Sequence, residues 1–344
     1  MKTIKQILLF SFGFLITLCF CEIFMRYASV STVSFSDYYN DIGKGLRKNI
    51  VHVNFSEGFG INKLNEHRYI GEAHPPLKPK NTFRIALIGD SYVQALEIFD
   101  RNYFGTIAED VLRKKYPGTN FEFLNFGRAS FNIGNMYAYQ KLLVDKFDPD
   151  YCLYFISNSD LQPDYVTPLL PKTEIISDSI IVSLDFNQSD ISSYTSTKFL
   201  TQNSVIFNML NNCRRIVKVK PIQAVLLEDI YTWMYPDALH NKREVSDTTG
   251  FTFNPITKKI IADLDTAKVI LINRDYIALP SEFTNACKKR GIRYIDLSQE
   301  LQKLKTDGKD PNKWEVTNKI GHWNPKTHEI IGKEIAKELE NIVE

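Results

Sequence analysis

The stretch FRIALIGDSYVQALE, residues 83–97, decides the fold of this chain. Its first part, FRIALIG (83–89), is a short, nearly continuous apolar run that stops at Gly89, Asp90 and Ser91. A run of that length without polar alternation reads as a strand buried on both faces, the habit of a parallel sheet. Working outward, RNYFGTIAEDVLRKKY (101–116) places Phe104, Ile107, Ala108, Val111 and Leu112 at helical spacing, with Asp100 as the expected N-cap. The pattern repeats in FEFLNFG (121–127) as a strand, IGNMYAYQKLLVDKF (133–147) as a helix and YCLYFISN (151–158) as a strand. It resumes downstream with a strand in AKVILINR (267–274), a helix in PSEFTNACKKRG (280–291) ending at Gly291, a strand in IRYIDLS (292–298) and a closing helix after Asn324. Strands alternating with helices imply an α/β fold, a parallel sheet covered on both faces.

Between Asp160 and about residue 265 the rhythm breaks. There TEIISDSIIVSLDF (173–186) predicts a hairpin and SVIFNMLNNCRRIV (204–217) a helix. Trp233, Tyr231 and Tyr235 follow in an irregular aromatic and polar segment, as core or as a platform for stacking sugars. An insertion of this kind, residues 161–265, is expected to form a cap or binding region on the sheet.

The N-terminus carries a different signal. In MKTIKQILLFSFGFLITLCFCEIFMRY, Lys2 and Lys5 precede an apolar run from Ile7 to Cys21 that continues past Glu22 to Met25. A spanning helix needs about 20 residues, whereas the apolar part of a removed signal peptide has only about 7–15. No small-x-small cleavage site follows, so residues 1–29 are expected to be an uncleaved signal anchor, with a removed peptide as the alternative. The lysines would hold the N-terminus in the cytoplasm and send the rest of the chain across the membrane. Residues 30–80, polar and rich in turn formers, read as a juxtamembrane arm leading into a domain over 81–344.

Composition narrows the function classes. A formal net charge of +2 over 344 residues, with no basic stripe, argues against nucleic acid as a partner. Cys19 and Cys21 follow Leu18 and Phe20, which a lipid-attachment site would replace with small residues. Cys152, Cys213 and Cys287 are widely spaced, with no Cys-x-x-Cys pair. Neither a disulfide framework nor a zinc site is indicated. His52, His67, His74 and His240 have no ligand spacing, and His328 reads as structural. No phosphate-binding loop, dinucleotide fingerprint or His-Glu-x-x-His occurs, so neither a cofactor nor a metal is expected.

In an open parallel sheet, ligands bind at the carboxyl ends of the strands. The residues standing there are Ser91 after the first strand, Gly127 after the second and Asn158 after the third, with His322 near the C-terminus in KIGHWNPKTHEII. Each alone has an ordinary explanation as a turn or packing residue. Together, in this order and at these boundaries, they resemble the SGNH (GDSL-like) hydrolase family, named for its Ser, Gly, Asn and His. The resemblance runs from about Arg84 to the C-terminus, interrupted by the insertion, and suits a membrane-anchored bacterial member. It implies a three-layer sandwich of flavodoxin-like topology and a serine-dependent acyl esterase. Ser91 would be the nucleophile and His322 its base. The resemblance further implies oxyanion donors in the N–H groups of Ser91 and Gly127 and the amide of Asn158. Gly127 would be glycine because backbone must approach the ligand closely.

One position departs from the family. Members ending in a His-Trp-Asn-Pro segment usually carry Asp two residues before the histidine, where this chain has Ile320; the alternative position holds Lys319. That leaves a Ser91–His322 dyad, a backbone carbonyl holding the ring, or an acid from elsewhere; Asp307, Asp310 and Glu315 are near in sequence. On this reading Ile320→Asp would raise the esterase rate. The substrate implied for an anchored, outward-facing member is an O-acetylated envelope polysaccharide. The alternatives are an O-acetyltransferase using the same site with a membrane acyl-donor protein, or a non-catalytic glycan-binding protein.

Overall fold

The computed structural model describes residues 2–28, 31–54, 56–163, 167–196, 198–219 and 253–343. It opens with helix α1 (Lys2–Tyr27), long and apolar enough to cross a membrane. Its apolar side chains are exposed from Ile4 to Phe24. Near its end Glu22 accepts from Ser204 Oγ at 2.8 Å and from the Val205 N–H at 2.9 Å, pinning α1 to the insertion.

Residues 31–80, read from the sequence as a juxtamembrane arm, carry two antiparallel hairpins. These are β1 (Ser36–Tyr39) with β2 (Gly43–Leu46), and β3 (Ile50–Asn54) with β4 (Gly60–Leu64). Leu46, Leu64, Ile70 and Leu96 pack into one small apolar cluster, so this segment is built onto the main body. Ile70 bridges Asn125, at the edge of the main sheet.

That sheet contains β5 (Thr82–Gly89), β6 (Asn120–Asn125) and β7 (Tyr151–Ile156). Beyond the insertion come β10 (Val269–Asn273) and β11 (Arg293–Asp296), the hairpin β8 (Lys172–Ile176) with β9 (Ser179–Ser183) lying between. All four ladders are parallel, in the spatial order β11-β10-β7-β5-β6. Numbered by appearance this is 2-1-3-4-5, the flavodoxin-like order, whose switch point lies between β5 and β7.

The alternation along β5 explains the layers. Ala86 and Ile88 join the core on one face, with Ile133 and Met136 of α4 (Ile133–Leu142) and Phe283 of the later helix Ser281–Arg290. Ile85 and Leu87 join the other, with Phe104, Ala108 and Leu112 of α3 (Phe104–Lys115) and Ile331 and Ile335 of the closing helix Pro325–Val343. Both faces of the strand are dry, as its unbroken apolar run requires. The helix Ser281–Arg290 stops where expected, with Gly291 at φ +82°.

Two boundaries differ from the sequence reading. Asp100 does not cap α3: it begins a separate 3₁₀ turn (Asp100–Asn102), and the helix starts at Phe104. Its first N–H is taken at 3.3 Å by Nδ1 of His328, which burial keeps neutral by pushing its pKa down to about 3. The helix expected over 133–147 ends at Leu142 and continues as a 3₁₀ turn over Val144–Phe147.

In the insertion, the expected hairpin is β8–β9, and the expected helix is α7 (Val205–Val219). It is preceded by α5 (Gln188–Ser196) and α6 (Lys198–Asn203). Tyr231, Trp233, Tyr235 and His240 lie outside the described residues. Cys152, Cys213 and Cys287 are free thiols.

Candidate active site

The turn after β5 is built by Asp90. Its Oδ1 accepts from the Tyr92 N–H at 3.0 Å and so starts the short helix α2 (Ser91–Gln94). Its Oδ2 accepts from Arg274 Nη2 at 2.6 Å. Arg274 directly follows β10 and also donates to Ser157 Oγ at 3.0 Å and Asp160 Oδ2 at 3.3 Å, just beyond β7. One buried guanidinium therefore ties three strand ends together. Burial pulls its pKa down, but Asp90 and Asp160 hold it above the ordinary value, so it stays charged. Ser91 then stands at a helix start on a braced turn, at the switch point of the sheet.

His322 arrives from the opposite end of the chain. It follows the small hairpin of β12 (Lys313–Trp314) and β13 (Lys319–Ile320), and its carbonyl accepts from Trp314 Nε1 at 3.1 Å. The edge of its ring lies against Tyr92, centroids 4.9 Å apart. His322 Nε2 is 2.8 Å from Ser91 Oγ. The acid missing at position 320 is supplied by Glu57, at the tip of the β3–β4 hairpin and 265 residues away in sequence. Glu57 Oε2 lies 2.9 Å from His322 Nδ1 and accepts from the His322 backbone N–H at 2.6 Å. A Cβ on Gly321 would overlap the Glu57 carboxyl, and one on Gly58 would overlap the Trp314 ring. Glycine at both positions is what lets the hairpin tip and the histidine loop approach so closely.

A second carboxylate, buried Glu97, places Oε1 3.1 Å from the same Nδ1. One N–H cannot point at both. The hydrogen-bond direction is met by Glu57, and Glu97 Oε1 is left without a hydrogen-bond partner. Burial pushes the Glu97 carboxyl up to about 7, the His322 charge opposing and Glu57 and Asp90 adding to the rise. Burial draws the His322 pKa down, but the Glu57 hydrogen bond and the charges of Glu97 and Glu57 outweigh it and leave the imidazole above its ordinary value. Such an imidazole can take the Ser91 proton and be stabilised as imidazolium by Glu57.

The expected oxyanion donors divide. The Ser91 N–H and the side-chain amide of Asn158, first residue of the turn Asn158–Leu161, have no hydrogen-bond partner among the described residues. The Gly127 N–H is already given to Asn125 Oδ1 at 2.9 Å. Phe126 and Arg128 donate to Leu87 and Gly89 of β5, so the N–H between them faces the other way. The reason for glycine here also differs from the expectation: a Cβ at 127 would overlap the backbone of Val93 and Gln94, so it is α2, not a ligand, that approaches.

Sequence reasoning missed Glu57, Glu97 and Arg274. Arg274 could have been found, because it stands within two residues of the end of a strand of the parallel sheet, as do Ser91 and Asn158. Nothing local marks Glu57, an ordinary acid in a turn-rich segment. Glu97 reads as an ordinary polar residue six positions past Ser91.

No protein family and no curated protein matches this chain in sequence. Among solved structures, the chain is similar to a two-domain esterase active on acetylated mannans, at 11% identity and a TM-score of 0.38, over 76% of this chain and 50% of that one. It thus spans about half the length of that enzyme. It is also similar to a lipase/acylhydrolase from Enterococcus faecalis, at 11% identity and a TM-score of 0.35, over 75% of this chain and 96% of that one. An acetyl xylan esterase, AlAXEase, matches at 12% identity and a TM-score of 0.33, over 75% of this chain and all of that one. At this distance the reading of the site rests on its own geometry.

Proposed function

We propose that this chain is a serine-dependent acyl esterase of SGNH type that removes O-acyl groups from a cell-envelope polysaccharide. The observation that carries the reading is the chain of contacts from Ser91 Oγ to His322 Nε2 at 2.8 Å and from His322 Nδ1 to Glu57 at 2.9 Å. A serine hydroxyl needs a base within hydrogen-bond reach, and the base needs an acid that fixes its tautomer. In the first step Ser91 Oγ bonds to the acyl carbon while its proton passes to Nε2, and the carbonyl oxygen becomes an oxyanion beside the Ser91 N–H and the Asn158 amide. Collapse expels the sugar alcohol, which takes the proton back from His322. Water then repeats the sequence and releases the carboxylic acid.

The non-catalytic alternative was motivated by Ile320, and Glu57 removes that motive. Helix α1 is long and apolar enough to anchor the protein, and Lys2 and Lys5 ahead of its apolar run favour a site on the outer side of the membrane. The test is labelling with a serine-directed fluorophosphonate. Wild type should take up one adduct, and Ser91→Ala none; a wild-type chain that stays unlabelled removes the enzyme reading.

A further inference from the structure

A cavity of about 1120 Å³ lies near the triad, between the N-terminal hairpins, helices α5–α7 and the loop that follows β6. Hydroxyls and amides make up much of its wall, among them Thr32, Ser36, Asn54, Asn208 and Asn212. It reaches the catalytic elements through Gln94, on the helix that starts at Ser91, and through Ser56, next to Glu57.

Arg128 lines this cavity and is 4% exposed. Its Nη2 reaches the Lys44 carbonyl at 3.4 Å, while Nε and Nη1 have no partner among the described residues. Burial pulls its pKa down, and what opposes this is the phenols of Tyr139, Tyr194 and Tyr39 rather than a carboxylate. Asp190 lines the cavity as well, but it is exposed, and its Oδ2 faces Asn187 Nδ2 at 3.5 Å. The chain treats its other buried arginines differently: Arg84 meets Glu122 at 2.7 Å and Arg274 meets Asp90 at 2.6 Å. A buried guanidinium without a counter-charge is costly, and an oxyanion is the group its planar donors fit. Arg128 also follows Gly127 in the loop after β6, at the end of the sheet where ligands bind.

We propose that this cavity binds a saccharide bearing an oxyanion, a carboxylate or a phosphate, and that Arg128, a cation in its wall that meets no carboxylate among the described residues, is the group that selects for that charge. This extends the acyl-esterase reading, on which it rests for the link to Ser91, by making the substrate an anionic glycan. The hydroxyl and amide wall receives the sugar body while Arg128 selects for charge.

The test is calorimetric titration of the full chain in detergent micelles with trigalacturonic acid, maltotriose and inorganic phosphate. Trigalacturonic acid should bind at least tenfold more tightly than maltotriose if the group is a carboxylate. Phosphate should bind and be lost in Arg128→Met if the group is a phosphate. Arg128→Met should abolish the preference for the anion with its melting temperature unchanged or raised, because the charge removed faced no carboxylate. Asn212→Asp, which puts a negative charge on the exposed side of α7 in the cavity wall, should weaken trigalacturonic acid more than it weakens maltotriose. The proposal is overturned if neither anion binds better than maltotriose, if Arg128→Met keeps the preference, or if it lowers the melting temperature by several degrees. The trisaccharide carries no ester, so anion binding by a chain that takes up no fluorophosphonate would sink the esterase reading and leave the anion site standing.

Discussion

Replacing Glu57 by Gln tests the central geometry with almost no change of shape. Glu57 accepts the Nδ1 proton at 2.9 Å and thereby leaves the Nε2 lone pair facing Ser91 Oγ at 2.8 Å. An amide at position 57 can turn its donor toward Nδ1, which moves the imidazole proton to Nε2 and blocks the base. In the serine protease triad the corresponding change costs about 10⁴ in kcat. Here Glu97 Oε1 remains 3.1 Å from Nδ1 and can hold the proton in part. The expected loss is therefore about 10²–10³ in kcat/KM, or about 2.7–4 kcal/mol of transition-state stabilisation. Adding Glu97→Gln should take the loss to about 10⁴.

The pH profile supplies a second readout with a definite sign. The base works only when neutral, so activity falls as pH drops through the pKa of His322, which the Glu57 hydrogen bond and the charges of Glu97 and Glu57 raise above the ordinary histidine value. Without the Glu57 hydrogen bond and charge that pKa falls, so the acid limb of the variant should move to lower pH. Hydrolysis of p-nitrophenyl acetate from pH 5 to 9 measures both effects. A Glu57→Gln enzyme within threefold of wild type, an unmoved acid limb, or an equal loss from Glu97→Gln alone would refute the assignment of Glu57 as the orienting acid.

Three further outcomes follow from the same contacts. Ile320→Asp, which the sequence alone would expect to raise the esterase rate, should give no gain in kcat/KM, because Nδ1 is already held by Glu57; a rise of tenfold or more would contradict that. Arg274→Ala leaves Asp90 and Asp160 buried without their cation, and chemical denaturation of the full chain should show a loss of about 3–5 kcal/mol. His328 binds a proton readily when unfolded, near pH 6.5, but only at about 3 when folded. Its contribution to stability is complete above pH 6.5 and is lost at about 1.4 kcal/mol per pH unit as pH falls toward 3. His328→Asn should flatten that slope in denaturation curves taken between pH 6.5 and 4.5.

How much of this was legible in the sequence depends on how local the cause is. The apolar run at 83–89, the helical spacing around Phe104 and the stop at Gly291 are short-range patterns, and each strand and helix of the α/β body that they predict is present within a few residues. The pair Ser91 and His322 was legible for a related reason: both stand at element boundaries that the alternation itself marks, and the sheet carries boundary residues to one edge. Ile320 correctly showed that the usual acid was missing, but nothing around it could say what replaced it. The replacement comes from a hairpin tip whose own sequence is unremarkable, and only long-range packing makes it an acid in the site: glycines at 58 and 321 allow the approach, and burial beside His322 gives the carboxyl its partner. The Gly127 N–H shows the same limit from the other side. A glycine after a strand is visible in the sequence, whereas the direction its N–H faces is decided by how the neighbouring residues pair with β5. Hydrophobic periodicity is written residue by residue along the chain, but a hydrogen bond across 265 positions exists only once the chain has closed on itself.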